Sequence, residues 1–107
     1  MCTQPEVYKH ARGDLLVVAR WTAAPGQAGK VAEILNRFLP QAQAEPGVRW
    51  FQIARATEDV GQFLFYELFA DEAAFAAHSM SEHFRTLILG EALPLLADRQ
   101  RMQYTLL

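Results

Sequence analysis

Two segments of this chain are apolar on both sides at strand spacing, and that limits what the rest can fold into. The first reads Leu15-Leu16-Val17-Val18-Ala19-Arg20-Trp21-Thr22, the second Phe63-Leu64-Phe65-Tyr66-Glu67-Leu68-Phe69. Side chains alternate along a strand. Leu15, Val17 and Ala19 therefore oppose Leu16 and Val18, and Phe63, Phe65 and Phe69 oppose Leu64, Tyr66 and Leu68. Runs of this kind belong to strands covered on both faces.

The intervening segments supply cover for one face. Ala24-Pro25-Gly26 closes the first strand, and a helix is predicted from about Gln27 to Ala44. Val31, Ile34, Leu35, Phe38, Leu39 and Ala42 form its apolar stripe, with Lys30, Glu33 and Arg37 facing water. Pro40 predicts a kink or an early end, and Glu45-Pro46-Gly47 makes the exit turn. Val48 to Thr57 is a second strand, with Trp50, Gln52 and Ala54 alternating against Phe51, Ile53 and Arg55. Glu58-Asp59-Val60-Gly61 joins it as a hairpin to a third strand, Gln62 to Ala70.

Asp71 is a good N-cap for a short helix ending at Ala77 or His78. Ser79-Met80-Ser81 breaks it. Ser81 caps a second helical stretch through Phe84, Leu87, Ile88 and Glu91, weakened at Gly90 and Pro94. Asp98 to Leu107 is a fourth strand with Met102, Tyr104 and Leu106 on one face. The order β-α-β-β-α-β predicts an α+β, ferredoxin-like domain, a four-stranded antiparallel sheet with helices on one side. Residues 1–13 lack periodicity and are expected to be a flexible arm, leaving 14–107 as one domain.

That arrangement leaves the second apolar face of the sheet bare. Monomers rarely expose contiguous apolar patches beyond a few hundred Å², and no helix remains to cover this one. A second copy packed sheet to sheet is the expected cover, which predicts a homodimer.

Composition narrows the setting. At 107 residues and 51% apolar, the chain can bury one sizeable core. Cys2 is the only cysteine, so no internal disulfide forms. A net charge of −2 and a pI near 5.9, without a Lys/Arg run, argue against a nucleic-acid partner. No apolar stretch approaches the ~20 residues of a membrane span. Met1-Cys-Thr-Gln-Pro-Glu lacks the features of a signal peptide, so a cytoplasmic location is expected.

Between the third strand and the following helices, Tyr66-Glu67, then Asp71-Glu72, lead into Phe75-x-x-His78-x-x-Ser81-x-His83-Phe84. This pattern resembles the antibiotic biosynthesis monooxygenase family, and the resemblance runs from about Leu15 to Leu107. It includes the Val18-Ala19-Arg20-Trp21 strand with the Pro25-Gly26 that follows. It implies a dimeric α/β barrel on the ferredoxin-like fold. The family includes cofactor-independent monooxygenases of anthrones and quinols, haem-degrading enzymes and an isomerase of a phosphorylated autoinducer sugar. Haem degraders carry asparagine, tryptophan and histidine where this chain has Ala19, His78 and Ile88, which speaks against haem breakdown. The histidine-rich pattern is similar to the quinol monooxygenase and isomerase branches.

Oxygenation without a cofactor requires an electron-rich substrate, a base, a dry pocket and donors for a developing oxyanion. His78 and His83 are the candidate bases, because imidazole titrates near neutrality. The alternative for each is structural, as a helix cap or a hydrogen-bonded core group. Tyr66 and Glu67 are also candidate catalytic groups, but alternation puts only one of them on the helix side. A buried, unpaired Glu67 would have a raised pKa. Otherwise it forms an intersubunit salt bridge with Arg20, Arg49 or Arg55. Trp21, Trp50, Phe51 and Phe75 are candidates for stacking on an aromatic substrate or for plain core, and the motif adds Ser81 and Phe84. No histidine–carboxylate spacing suggests a metal, so neither metal nor cofactor is expected. The expected activity is monooxygenation of a small quinol-like or polyketide aromatic with O₂. The alternatives are an isomerase of a phosphorylated metabolite, with Arg12, Arg20, Arg49, Arg55 and Arg85 available for a basic mouth, or a non-catalytic ligand-binding dimer.

Overall fold

A computed structural model describes residues 13–107; the proposed arm, apart from Gly13, lies outside them. The elements are β1 (Leu15–Ala23), α1 (Ala28–Gln43), β2 (Val48–Arg55), β3 (Gln62–Phe69), α2 (Glu72–Ser79), α3 (Phe84–Ala92) and β4 (Leu96–Thr105), with one 3₁₀ turn at Leu93–Leu95. The strands form a single antiparallel sheet in the order β2-β3-β1-β4. This is the ferredoxin-like arrangement that the sequence predicts.

The two doubly apolar segments, β1 and β3, are the central strands and pair from Leu15↔Phe69 to Thr22↔Gln62. Leu15, Val17, Ala19, Trp21, Phe63, Phe65, Glu67 and Phe69 are buried beneath the helices. α1 lays Val31, Ile34, Leu35, Phe38 and Ala42 onto them. Burying each large side chain of this stripe contributes about 1.5–3 kcal/mol.

Pro40 does not end α1, which runs on to Gln43. The residue one turn back, Asn36, is exposed like Pro40, so the carbonyl without an amide partner faces water. α3 also departs from the expected pattern, because its turns are widened to the π form. Its buried residues Leu87, Ile88 and Ala92 include a pair five apart, as i→i+5 winding requires. Glu91, at helical spacing with Phe84, Leu87 and Ile88, is exposed and pairs with Arg37 at 2.8 Å.

The other face of the sheet carries Leu16, Val18, Leu64, Tyr66, Leu68, Trp50, Met102 and Tyr104, aligned across the four strands. Leu68 is buried between its cross-strand partners Leu16 and Trp50. Trp50, Leu64, Tyr66, Met102 and Tyr104 are each at least 40% exposed. None of the described helices is long and apolar enough to cross a membrane.

Candidate functional site

The site forms where the inner face of β3 meets the ends of α1, α2 and α3. Asp71 caps α2 by accepting a 2.8 Å bond from the Ala74 amide, which fixes the start of the helix. Its last turn then carries His78 inward, 2% exposed. Ser81 ends the helix as predicted: its hydroxyl donates to the His78 carbonyl at 2.7 Å and accepts from the Phe84 amide at 3.2 Å. Ser81 thus joins α2 to α3 and is not a pocket residue. The His78 ring sits in an aromatic box, with the rings of Phe51, Phe69 and Phe84 centred 5.3 Å away and that of Phe38 at 5.8 Å.

Both nitrogens of His78 face a carboxyl group. Nδ1 lies 2.8 Å from Oε2 of Glu45, in the turn leaving α1, and the same oxygen is 2.6 Å from Nε2 of His83. A carboxylate accepts, so each ring donates, and the His78 proton is held on Nδ1. Nε2 keeps its lone pair and faces Glu67 across 3.8 Å, beyond hydrogen-bond reach. Burial lowers the His78 pKa, opposed by its hydrogen bond and charge contact with Glu45. Burial pushes Glu67 up to about 8, against the pull of Arg101 and Arg99. At neutral pH the pair is therefore a neutral imidazole facing a protonated carboxyl.

The approach of the Glu45 turn to α2 is close. A methyl group at Gly47 would stand 2.3 Å from the Ala74 Cβ, and the Gly47 carbonyl accepts from the Ala70 amide at 2.9 Å. Only glycine lets the turn come near enough to bring Glu45 to His78.

A small, partly open cavity of about 20 Å³ lies beside this pair. Glu67, His78, Trp21, Phe75 and Phe84 line it together with Phe38 and Phe65. Ala19 and Ile88 also line it, so all three positions that depart from the haem degraders lie on its wall. The remaining edge is Arg99 and Arg101, projecting from β4 beside Trp21 and Ala19 of β1.

The structure thus brings together His78, His83, Glu67, Trp21, Phe75 and Phe84. Tyr66 and Trp50 lie on the opposite face of the sheet, far from this chemistry, because the alternation of β3 and β2 carries them there. Phe51 packs on His78 without reaching the cavity. Glu67 does not turn outward to an intersubunit bridge. Arg49 pairs with Asp14 at 2.6 Å, and Arg55 donates to the Val60 and Ala28 carbonyls. The cations near Glu67 are Arg101 and Arg99, neither among the arginines proposed for a basic mouth. Sequence reasoning missed Glu45, for which spacing holds no signal. It missed the two arginines although alternation against Met102 and Tyr104 places them on the helix side.

Glu45, His78 and His83 also offer donor atoms all within 4.8 Å of one another, the composition of a two-histidine, one-carboxylate metal site. They come from three segments, so chain spacing hides them, and the ground on which no metal is expected falls away. Ligands held at about 2.0–2.1 Å around Zn²⁺ stand roughly 3.3 Å apart. The present 2.6 and 2.8 Å separations are hydrogen bonds, and the donors must spread to admit an ion.

Residues 14–88 match the family model described as antibiotic biosynthesis monooxygenase. The protein PA3566 from Pseudomonas aeruginosa is 30% identical, with a TM-score of 0.80 over 92% of this chain and 98% of that one. A structure described as an antibiotic biosynthesis monooxygenase is 23% identical, with a TM-score of 0.79 over 84% of this chain and 95% of its own. A conserved protein from Methanosarcina mazei Go1, 17% identical, reaches 0.85 over 94% and 99%. The latter two likenesses concern the fold alone. No curated protein matches the sequence.

Proposed function

Since the chain belongs to the antibiotic biosynthesis monooxygenase family, we propose that it is a homodimeric, cofactor-independent monooxygenase that oxidises a small quinol-like or polyketide aromatic with O₂. The observation that carries this reading is His78, buried in an aromatic box with Nδ1 2.8 Å from the Glu45 carboxyl and Nε2 toward an aromatic-walled cavity. That is the arrangement of a general base with an orienting carboxylate. Glu67, protonated at neutral pH, lines the same cavity with an O–H available to a bound substrate. A carboxylic acid kept neutral by burial can stabilise an oxyanion.

The reaction then runs in balanced steps. For an anthrone-type substrate, His78 Nε2 takes a proton from the activated CH₂ group, and the negative charge spreads to the ring-ketone oxygen held by the Glu67 O–H; for a quinol the proton taken is that of the ring O–H. The carbanion supplies the electrons for a C–O bond to O₂, giving a peroxide anion that recovers the proton from His78. The hydroperoxide loses water and leaves a carbonyl, so R₂CH₂ and O₂ become R₂C=O and H₂O. His83, bonded to Glu45 on the side away from the cavity, holds the orienting carboxylate in place. Tyr66 has no part in this sequence, and Trp21, Phe75 and Phe84 form the walls against the ring. The apolar outer face of the sheet, with Tyr66 and Leu68 at its centre, is the surface that pairs two copies.

A second reading draws on Arg99 and Arg101. An isomerase could use the same His78 base to move a proton within a phosphorylated metabolite, and it would turn over without consuming oxygen.

Oxygen uptake with a panel of anthrones and hydroquinones tests the reading. Wild-type uptake should fall at least about 10²-fold in His78→Ala, the usual worth of a positioned base, and less in Glu45→Gln. Uptake that His78→Ala leaves intact would overturn the role of His78, and no uptake with any member of the panel would overturn the monooxygenase.

A further inference from the structure

We infer that the cavity is built for a ring compound that carries an anionic group, carboxylate or phosphate, seated between Arg99 and Arg101. The inference rests on the reading that this cavity is the substrate site, but not on which reaction occurs there.

The two arginines are two residues apart on β4, opposite Trp21 and Ala19 of β1, so both guanidinium groups leave the strand on the cavity side. Among the described residues, no carboxylate lies within 4 Å of either. Partial desolvation, and after it the neighbouring charge of Arg101, lower the Arg99 pKa, while Glu67 draws it back up, which fits a pair of cations with room for an anion between them. The Arg101 guanidinium lies over the Phe75 ring, 5.4 Å from its centroid, which turns it along the cavity edge. Two planar, five-donor groups held side by side match the oxygens of a carboxylate or phosphate.

The rest of the cavity specifies the other half of the ligand. Trp21 and Phe65, with centroids 4.5 Å apart, form one wall, and Phe75 and Phe84 also line it. Such surfaces take a flat ring. At about 20 Å³ the cavity holds roughly one water, so a ring must enter by displacing a wall. The arginine edge is the one wall built from exposed side chains. The group that opens the cavity is then the group that binds the anion.

Calorimetric titration of the wild-type chain with 1-naphthol, 1-naphthoate and 1-naphthyl phosphate separates the possibilities without requiring turnover. The two anions should bind at least about tenfold more tightly than the neutral ring, with the preference shrinking as salt is added. Arg99→Gln and Arg101→Gln should each abolish most of that preference, read as the ratio of anion to naphthol affinity within each variant. Arg99→Lys should retain part of it, and Arg85→Gln, on an exposed face of α3, should change nothing. A phosphate that outcompetes the carboxylate would identify the anion as phosphate, and the reverse order as carboxylate. Naphthol binding as tightly as the anions, or a preference that survives both glutamine variants or falls equally in Arg85→Gln, would overturn the anion subsite and leave the cavity reading standing. Failure of all three probes to bind would overturn both.

Discussion

The covered face of the sheet keeps Glu67 enclosed among aromatic rings, while one residue away Tyr66 stands 40% exposed amid Trp50, Leu64, Met102 and Tyr104. The same apolar alternation generates both faces, yet they meet different fates. On the helix side, apolar area is consumed within the chain, and the dry interior that results is what shifts the titration of Glu67 and His78. On the other side nothing in the chain consumes it. Apolar patterning on β3 therefore reports two apolar faces, and only the topology decides which of them the chain itself covers.

The largest effects should come from placing charge on the outer face. Leu68 is 3% exposed even in the single chain, so Leu68→Asp buries an unpaired carboxylate, costs several kcal/mol and should unfold the domain. Tyr66→Asp should be tolerated by the isolated fold but should break a dimer. Circular dichroism and sedimentation would read a native spectrum with the mass of a single 12.1 kDa chain. A Tyr66→Asp protein that remains dimeric removes this face from the interface.

The inner face should answer to pH. Glu67 is raised from 4.5 to about 8. Between those values the unfolded chain gives up a proton that the native state keeps, so stability falls as pH rises, by up to about 1.4 kcal/mol per pH unit. Glu67→Gln should flatten that slope and gain a few kcal/mol at pH 8, measured by urea unfolding at pH 5 and pH 8. Parallel slopes for wild type and variant would remove Glu67 from the buried titration. The lowered pKa of His78 acts in the opposite sense, with stability lost as pH falls through the ordinary histidine range.

A smaller effect separates the site from the sheet. Gly47→Ala forces a 2.3 Å contact with Ala74 and should cost roughly 1–3 kcal/mol through backbone displacement. It should also slow turnover by moving Glu45 from His78, and Ala74→Gly in the same chain should restore part of the rate. The smallest expected effect is none: EDTA should change neither melting temperature nor oxygen uptake. A drop in either would mean that Glu45, His78 and His83 hold an ion.

Most of the fold was legible because its signals are local. The period-two runs of β1 and β3, the stripe of α1, the Asp71 cap and the short β2–β3 turn each speak through near neighbours. The wide turns of α3 were not, because ordinary helical spacing fits Phe84, Leu87 and Ile88 equally well. Of the candidate site residues, His78, Glu67 and Trp21, where chemistry and periodicity coincide, meet at one cavity. Tyr66 and Trp50 suit the chemistry but project from the wrong side. Glu45 was invisible because it reaches His78 across 33 residues of chain, through a packing contact that no local pattern encodes. Arg99 and Arg101 could have been placed by the alternation that put Met102 and Tyr104 outside.

The joint between Gly47 and Ala74 bears on how such a domain can change its trade. Where backbone meets methyl with no slack, almost any substitution disturbs the base. The aromatic walls and the arginine edge contribute side chains that can be exchanged one at a time without touching that joint. A change of ligand then has a preferred direction, in which the rim of the cavity is recut while the proposed base stays in place.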